Sequence, residues 1–170
     1  DDLVLGVVVE RLGESYKLDV GAAGLASLPA LAFEGATRKN RPALAVGAVV
    51  QARVAVANKD LTEPELTCVP RTGGAREALG ELQGGLLLRC SLALCRAVLL
   101  GGTACPVLAA LGARVPYELA AGYNGRVWLR ARTPTNTVLV ANALLAGEHV
   151  PAPHVDALVH QILLRADAQN

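Results

Sequence analysis

The sequence predicts a β barrel followed by a mixed α/β domain, and three observations carry that prediction. Residues 1–71 hold short runs with the two-residue period of half-buried strands, with glycine at the corners. The stretch PRTGGAREALGELQGG at 70–85 concentrates proline, glycine and charge, which marks a boundary between domains. Beyond it the pattern changes to strand, helix, helix, strand, strand, helix, helix. The expected organisation is a barrel domain at 1–71, a linker at 72–85 and an α/β domain at 86–170.

Within the first domain, LVLGVVVERL is rich in β-branched residues and reads as a strand. Gly13-Glu14 makes a turn, after which SYKLDVG alternates Tyr16, Leu18 and Val20 against Ser15, Lys17 and Asp19. A loop rich in glycine and alanine follows. AVGAVVQARVAVAN is a long strand signal and ELTCV a short closing one. Several short strands at close spacing point to a small closed barrel.

In the second domain, GLLLRCS is a strand and LALCRAVLL a helix stopped by Gly101-Gly102. Thr103 is placed to cap a second short helix that ends near Leu111, with Gly112 as its stop. YELAAGY and RVWLRAR are strands, joined by Asn124-Gly125, a pair that tolerates positive φ and favours a tight hairpin. Thr133 and Pro134 suit the N-cap and first residue of a helix through TNTVLVANALLAG. In the last segment Val155, Leu158, Val159, Ile162, Leu163 and Ala166 share one helical face, and Asp156, His160, Gln161 and Arg165 the other.

Composition narrows the functional classes. At 170 residues and 52% apolar, the chain holds enough to build one compact domain or two small ones. Its longest apolar stretch, Ala97 to Leu111, is broken by Gly101, Gly102 and Pro106, so no membrane span is expected. The Asp-Asp start lacks the pattern of a secretory leader, and the absence of methionine predicts a longer native chain. Cys68, Cys90, Cys95 and Cys105 contain no Cys-x-x-Cys and lie far from the three histidines. They read as reduced core residues, Cys95 beside Leu92, Val98 and Leu99, with no metal site and no cofactor. A net charge of +1 means that any nucleic-acid contact must rest on local patches.

Two such patches stand out. FEGATRKNRP places Arg38, Lys39 and Arg41 in a barrel loop, either simply solvated or contacting phosphate, with Lys17 and Arg53 extending the surface. On the strand after the hairpin, alternation puts Arg126, Trp128, Arg130 and Arg132 on one face, with Val127, Leu129 and Ala131 towards the helices. That face either stacks on bases and meets phosphate, or packs its tryptophan on the barrel while its arginines pair with carboxylates or line a protein interface. An aromatic content of 3% favours the second reading. The Gly-x-x-Gly at Gly122–Gly125 joins strands, whereas a backbone clamp of the KH kind joins helices. The helix junction is Gly101-Gly102-Thr103-Ala104, where Ala104 replaces the closing glycine. Asp60, Glu63 and Glu65 offer carboxylates for a metal nuclease, but a polar turn broken by Pro64 accounts for them.

FEGATRKNRP, VANKDLTEPELTC and GYNGRVWLRA, in this order and spacing, resemble the S1/KH cap subunits of the eukaryotic RNA exosome, the ribosomal RNA-processing protein forty type. The resemblance covers essentially the whole chain. It implies an S1-type OB-fold barrel followed by a type I KH domain, a three-stranded sheet packed with helices. It implies a non-catalytic RNA-binding subunit of a three-protein cap on a ring of RNase PH-like subunits, guiding single-stranded RNA towards processing and degradation. The expected partners are RNA, the ring and the other cap subunits, with no membrane and no small-molecule substrate. The expected location is nucleus, nucleolus and cytoplasm. Family members carry a further N-terminal domain. Gly122, Asn124 and Gly125 match the family's Gly-x-Asn-Gly, read as a structural turn. The departure at Ala104 argues against independent RNA binding by the KH domain. The alternative is a free-standing S1/KH RNA-binding adaptor.

Overall fold

The computed structural model describes residues 1–58, 63–71 and 78–167, with side chains through Arg165. The chain divides into two compact units. One holds Asp1–Gln83 together with Gly122–Asn124, and the other holds Gly84–Ala121 and Gly125–Asn170.

The first unit is built on β1 (Leu3–Arg11), β2 (Ser15–Asp19), β3 (Ala26–Pro29), β4 (Val49–Val56), β5 (Glu65–Thr67) and β6 (Gly80–Leu82). β1 pairs antiparallel with β2 on one edge and with β4 on the other. β2 pairs with β3, β3 runs parallel to β5 at Ser27 and Glu65, and β5 returns antiparallel to β4. The ring β1-β2-β3-β5-β4 is therefore closed, which removes free edges. Val8, Leu18, Leu28, Val50, Ala52 and Leu66 fill it, each at most 1% exposed. A leucine buried to that degree contributes roughly 2 kcal/mol.

Two elements depart from the sequence reading. β3 lies in the stretch read as a glycine- and alanine-rich loop. Its inward positions are Ala26 and Leu28, and alanine gives too weak an apolar contrast for the alternation to show. β6 lies within 72–85, the stretch read as a linker, and pairs with Val49–Gln51 of β4. Its Gly-Glu-Leu shows no strand character amid glycine and charge, so that strand is specified by its partner.

The second unit follows in the order β7 (Leu86–Arg89), α1 (Leu92–Leu100), α2 (Pro106–Gly112), β8 (Tyr117–Gly122), β9 (Arg126–Ala131), α3 (Pro134–Gly147) and α4 (Val155–Asp167). Its sheet runs β7-β9-β8, with β7 antiparallel to β9. Strand, two helices, two strands, helix is the type I KH order, with α4 added. Ser91 caps α1 by accepting from Leu94 N, and Thr133 caps α3 by accepting from Asn136 N at 3.1 Å. Thr103 is not a cap. It sits in a single 3₁₀ turn, Gly102–Ala104, and Pro106 starts α2 with its own fixed φ. Gly112 is not a left-handed stop either, since Ala113 after it stays right-handed and donates to Ala109 O. Cys95, Val98, Leu111, Val127, Leu129, Val140, Leu144, Val155 and Val159 form the core. Leu94 joins them, while Leu92, grouped with Cys95 in the sequence, is exposed. No described helix is long and apolar enough to cross a membrane.

The barrel core contains a thiol that titrates only at high pH. Cys68 is 2% exposed and its Sγ donates to Gln51 O at 3.5 Å. Burial pushes it from 9.0 up to about 12, against a smaller opposing backbone bond from Gly80. The folded state thus holds the proton that the unfolded chain releases near pH 9. This contribution to stability is complete below pH 9 and is lost as pH rises towards 12. Urea unfolding midpoints should fall over that window, and Cys68→Ala should flatten the fall.

Candidate nucleic-acid interface

The barrel carries its basic cluster on a closed turn. Thr37 N donates to Asn40 O at 3.0 Å and Asn40 N to Thr37 O at 3.1 Å, while the Thr37 hydroxyl accepts from Asn40 N. Arg38 and Lys39 stand at the tip, both exposed. The far end of the loop is held from below by Tyr16, which is 3% exposed. Its phenol donates to Pro42 O at 2.5 Å and accepts from Leu44 N at 3.4 Å. The sequence pattern identified Tyr16 as a core residue and missed this anchoring role. A buried tyrosine among aliphatic residues was the available signal, because its hydroxyl requires a partner.

The other predicted cations are engaged. Arg41 donates from Nη1 to Gly13 O at 3.3 Å, and its Nη2 lies 3.9 Å from the Glu14 carboxylate. Its Nε is buried with no hydrogen-bond partner. An open cleft of about 410 Å³ runs alongside, lined by Phe33, Glu34, Asn40, Arg41, Pro42 and Cys68. Lys17 forms an ion pair with Glu63. Arg53 is 8% exposed and donates to Asp1 O at 2.6 Å. Arg53 therefore does not extend an exposed surface as expected: on the face of β4 opposite the core residues Val50 and Ala52, its guanidinium is held against the backbone of Asp1. Arg38 and Lys39 form the part of the cluster that faces solvent.

In the second unit, the face predicted from alternation along β9 is split. Arg126 and Trp128 are 3% and 4% exposed, while Arg130 and Arg132 are exposed. Trp128 Nε1 donates to Gly84 O at 2.8 Å, so its polar edge is satisfied internally. Leu129 and Val127 pack on the helices as expected. Burial on both faces removes Trp128 as an open stacking platform. Arg130 and Arg132 border an open cleft shared with Pro116, Tyr117 and Glu118. At the clamp position, Gly101 and Gly102 turn the chain through left-handed φ of 65° and 56°, and Leu100 before them is 79% exposed.

The Gly-x-Asn-Gly stretch makes a three-residue hairpin loop, Tyr123–Gly125, in which Gly125 alone has positive φ, at 74°. The tight turn expected with both Asn124 and Gly125 left-handed does not form, because Asn124 is committed through its side chain. Its Nδ2 donates to Leu5 O and to Val20 O, both at 2.8 Å, and its Oδ1 accepts from Leu5 N at 3.1 Å. Tyr123 N donates to Leu3 O at 2.7 Å. A Cβ on Gly122 would stand 2.8 Å from Leu5 N and 2.4 Å from Asn124 Oδ1, so the close approach admits only glycine. Gly122–Asn124 group with the barrel unit.

Of the carboxylates weighed as a metal site, Glu63 is occupied by Lys17, Glu65 begins β5 and Asp60 lies outside the described residues. Among the described residues, no three His, Cys, Asp or Glu side chains are grouped to hold a metal.

A closed five-stranded barrel with a basic loop, followed by a KH-type unit, defines the S1–KH class of nucleic-acid-binding proteins. Residues 1–80 match the family described as exosome complex component RRP40, S1 domain, and residues 85–135 match the KH domain family. The chain belongs to the exosome complex component RRP40 family. It is 45% identical to exosome complex component RRP40 of Drosophila melanogaster over 92% of this chain and 66% of that one. It is 43% identical to that of Schizosaccharomyces pombe over 85% and 59%, and 41% identical to that of Homo sapiens over 88% and 53%. The chain thus spans between about half and two thirds of the length of these relatives. A solved structure provisionally described as an exosome complex RNA-binding protein shares the fold, with a TM-score of 0.72 at 18% identity over 99% of this chain and 95% of that one.

Replacing Asn124 tests the structural reading. Asn124→Val removes all three side-chain bonds and should destabilise the protein by about 2 kcal/mol or more. Asn124→Asp should be at least as damaging, since it turns a carboxylate oxygen towards two carbonyl oxygens. Urea unfolding midpoints measure both, and RNA affinity per folded molecule should stay unchanged.

Proposed function

We propose that this chain is the RNA-binding S1–KH portion of a non-catalytic cap subunit of the RNA exosome. In this reading it braces a ring of RNase PH-like subunits and guides single-stranded RNA towards 3′–5′ processing, in nucleus, nucleolus and cytoplasm. The observation that carries it is the exposed Arg38–Lys39 tip, held from below by Tyr16, on the S1 barrel of an RRP40-family chain. Arg130 and Arg132 are a second exposed basic pair, able to meet RNA or protein. The engagement of Glu63 by Lys17 supports a non-catalytic role.

Two solvent-facing cations at the barrel tip, on a chain of net charge +1, imply weak binding without sequence preference. Fluorescence anisotropy with a labelled single-stranded RNA should show Arg38→Ala/Lys39→Ala lowering affinity. The slope of log affinity against log salt should shrink by about 0.7 for each phosphate that the variant no longer neutralises. An unchanged slope would remove the turn from the interface. The chain should co-purify with RNase PH-like proteins, whereas tight binding alone at physiological salt would identify a free-standing adaptor. Degradation of labelled RNA with Mg²⁺ or Mn²⁺, abolished by Glu63→Ala, would overturn the non-catalytic assignment.

A further inference from the structure

We propose that Cys90 and Cys95 form an oxidisable thiol pair that closes into a disulfide across the N-terminus of α1. Ser91 is the N-cap of α1, which makes Cys90 the residue before the cap and Cys95 the fourth of the helix. In a helix these two positions face each other and normally hold an apolar contact that fixes how the chain enters. Here the contact is made of two sulfurs, 3.3 Å apart. A disulfide is about 2.0 Å long, so closure asks for a shift of roughly 1.3 Å between them. Backbone bonds hold both ends: Cys90 N donates to Gly125 O at 2.9 Å and Cys95 N to Ser91 O at 3.1 Å.

The two sulfurs are not equivalent. Cys95 is fully buried and its Sγ lies 3.7 Å from Arg126 O, so its thiol points inward and leaves its lone pairs towards Cys90. Cys90 is half-buried and gives the pair its access to reagent. Burial, then the hydrogen bond and charge of Cys95, then Glu148 push the Cys90 thiol up to about 12. Its thiolate is therefore scarce at neutral pH, and the first attack sets the rate.

A low-molecular-weight disulfide, oxidised glutathione, supplies the oxidising equivalents. Cys90 sulfur attacks one glutathione sulfur. A protein–glutathione S–S bond forms, the reagent's own S–S bond breaks, and the departing glutathione takes up the Cys90 proton. Cys95 sulfur then attacks Cys90 sulfur, the Cys90–Cys95 bond forms, and the second glutathione leaves with the Cys95 proton. Two protein thiols are oxidised and one reagent disulfide is reduced to two thiols. Adjacency makes the second step fast, so the mixed disulfide does not accumulate.

Trypsin reports the product directly, because Arg89 and Arg96 bound a peptide, CSLALCR, that carries both cysteines. Because the first attack is slow, the folded protein is held in excess oxidised glutathione until its free-thiol content stops falling, with the urea-unfolded chain as a control that the reagent is active. It is then alkylated and digested without reduction. The expected peptide is lighter by two hydrogen atoms and carries no alkyl group. In Cys95→Ser, Cys90 should retain glutathione, and in Cys90→Ser, Cys95 should remain a thiol. A wild-type peptide with two alkylated cysteines, or with glutathione retained on Cys90, overturns the proposal.

Discussion

The first unit depends on β1 being paired along both edges. Antiparallel pairing with β4 from Leu3 to Val7 closes the ring that β1 opens with β2, so the five strands of the ring need no outside partner. Closure fixes β2, and β2 carries Tyr16 into the wall beneath the 33–44 loop. The two hydrogen bonds of that phenol with Pro42 and Leu44 set the base of the loop, and the Thr37–Asn40 turn sets its tip. The position of Arg38 and Lys39 is thus a consequence of barrel closure, transmitted through one hydroxyl. β1 also accepts the backbone of Tyr123 and the side chain of Asn124, whose amide makes the bonds that a strand residue would make.

Charge in the barrel follows from which side chains the strands turn outward. Lys17 finds Glu63, Arg41 reaches the Gly13–Glu14 turn, and Arg53 is drawn to a backbone carbonyl. A cation held in an ion pair or against a carbonyl gains less from a phosphate than one surrounded by water, because it must give up the interaction it has. Residue type along the sequence therefore overstates the basic surface.

In the KH unit, burial acts on the aromatic group. A solvent-facing Trp128 between arginines would suit base stacking, yet its ring lies inside and its N–H is bound to Gly84 O. The helix junction keeps two left-handed glycines without the closing one, and Ala104 occupies a 3₁₀ turn that leads directly into Pro106. The stacking side chain that would accompany a clamp is buried elsewhere in the unit.

Strongly patterned segments were legible in the sequence. β2 and α4 carry a clear period, β1 and β4 a β-branched composition, α1 and α3 a helical length, and Thr133 marks the start of α3 through a local hydrogen bond, whereas Ser91, read as the end of a strand, proves to be the N-cap of α1. The Gly-x-Asn-Gly hairpin was placed correctly between two strands, and FEGATRKNRP was correctly an exposed loop. These features depend on neighbours in sequence, so sequence by itself determined them. β3 and β6 were not legible, since alanine gives β3 no contrast, the Gly-Glu-Leu of β6 sits in a stretch of glycine and charge, and pairing with distant strands creates both. The same holds at the candidate interface: partners distant in sequence bury Arg53, Arg126 and Trp128, occupy Lys17 and convert Asn124 from a turn former into a set of side-chain bonds. Only the tertiary structure decided which basic residues face water, because that depends on pairing and burial between segments tens of residues apart.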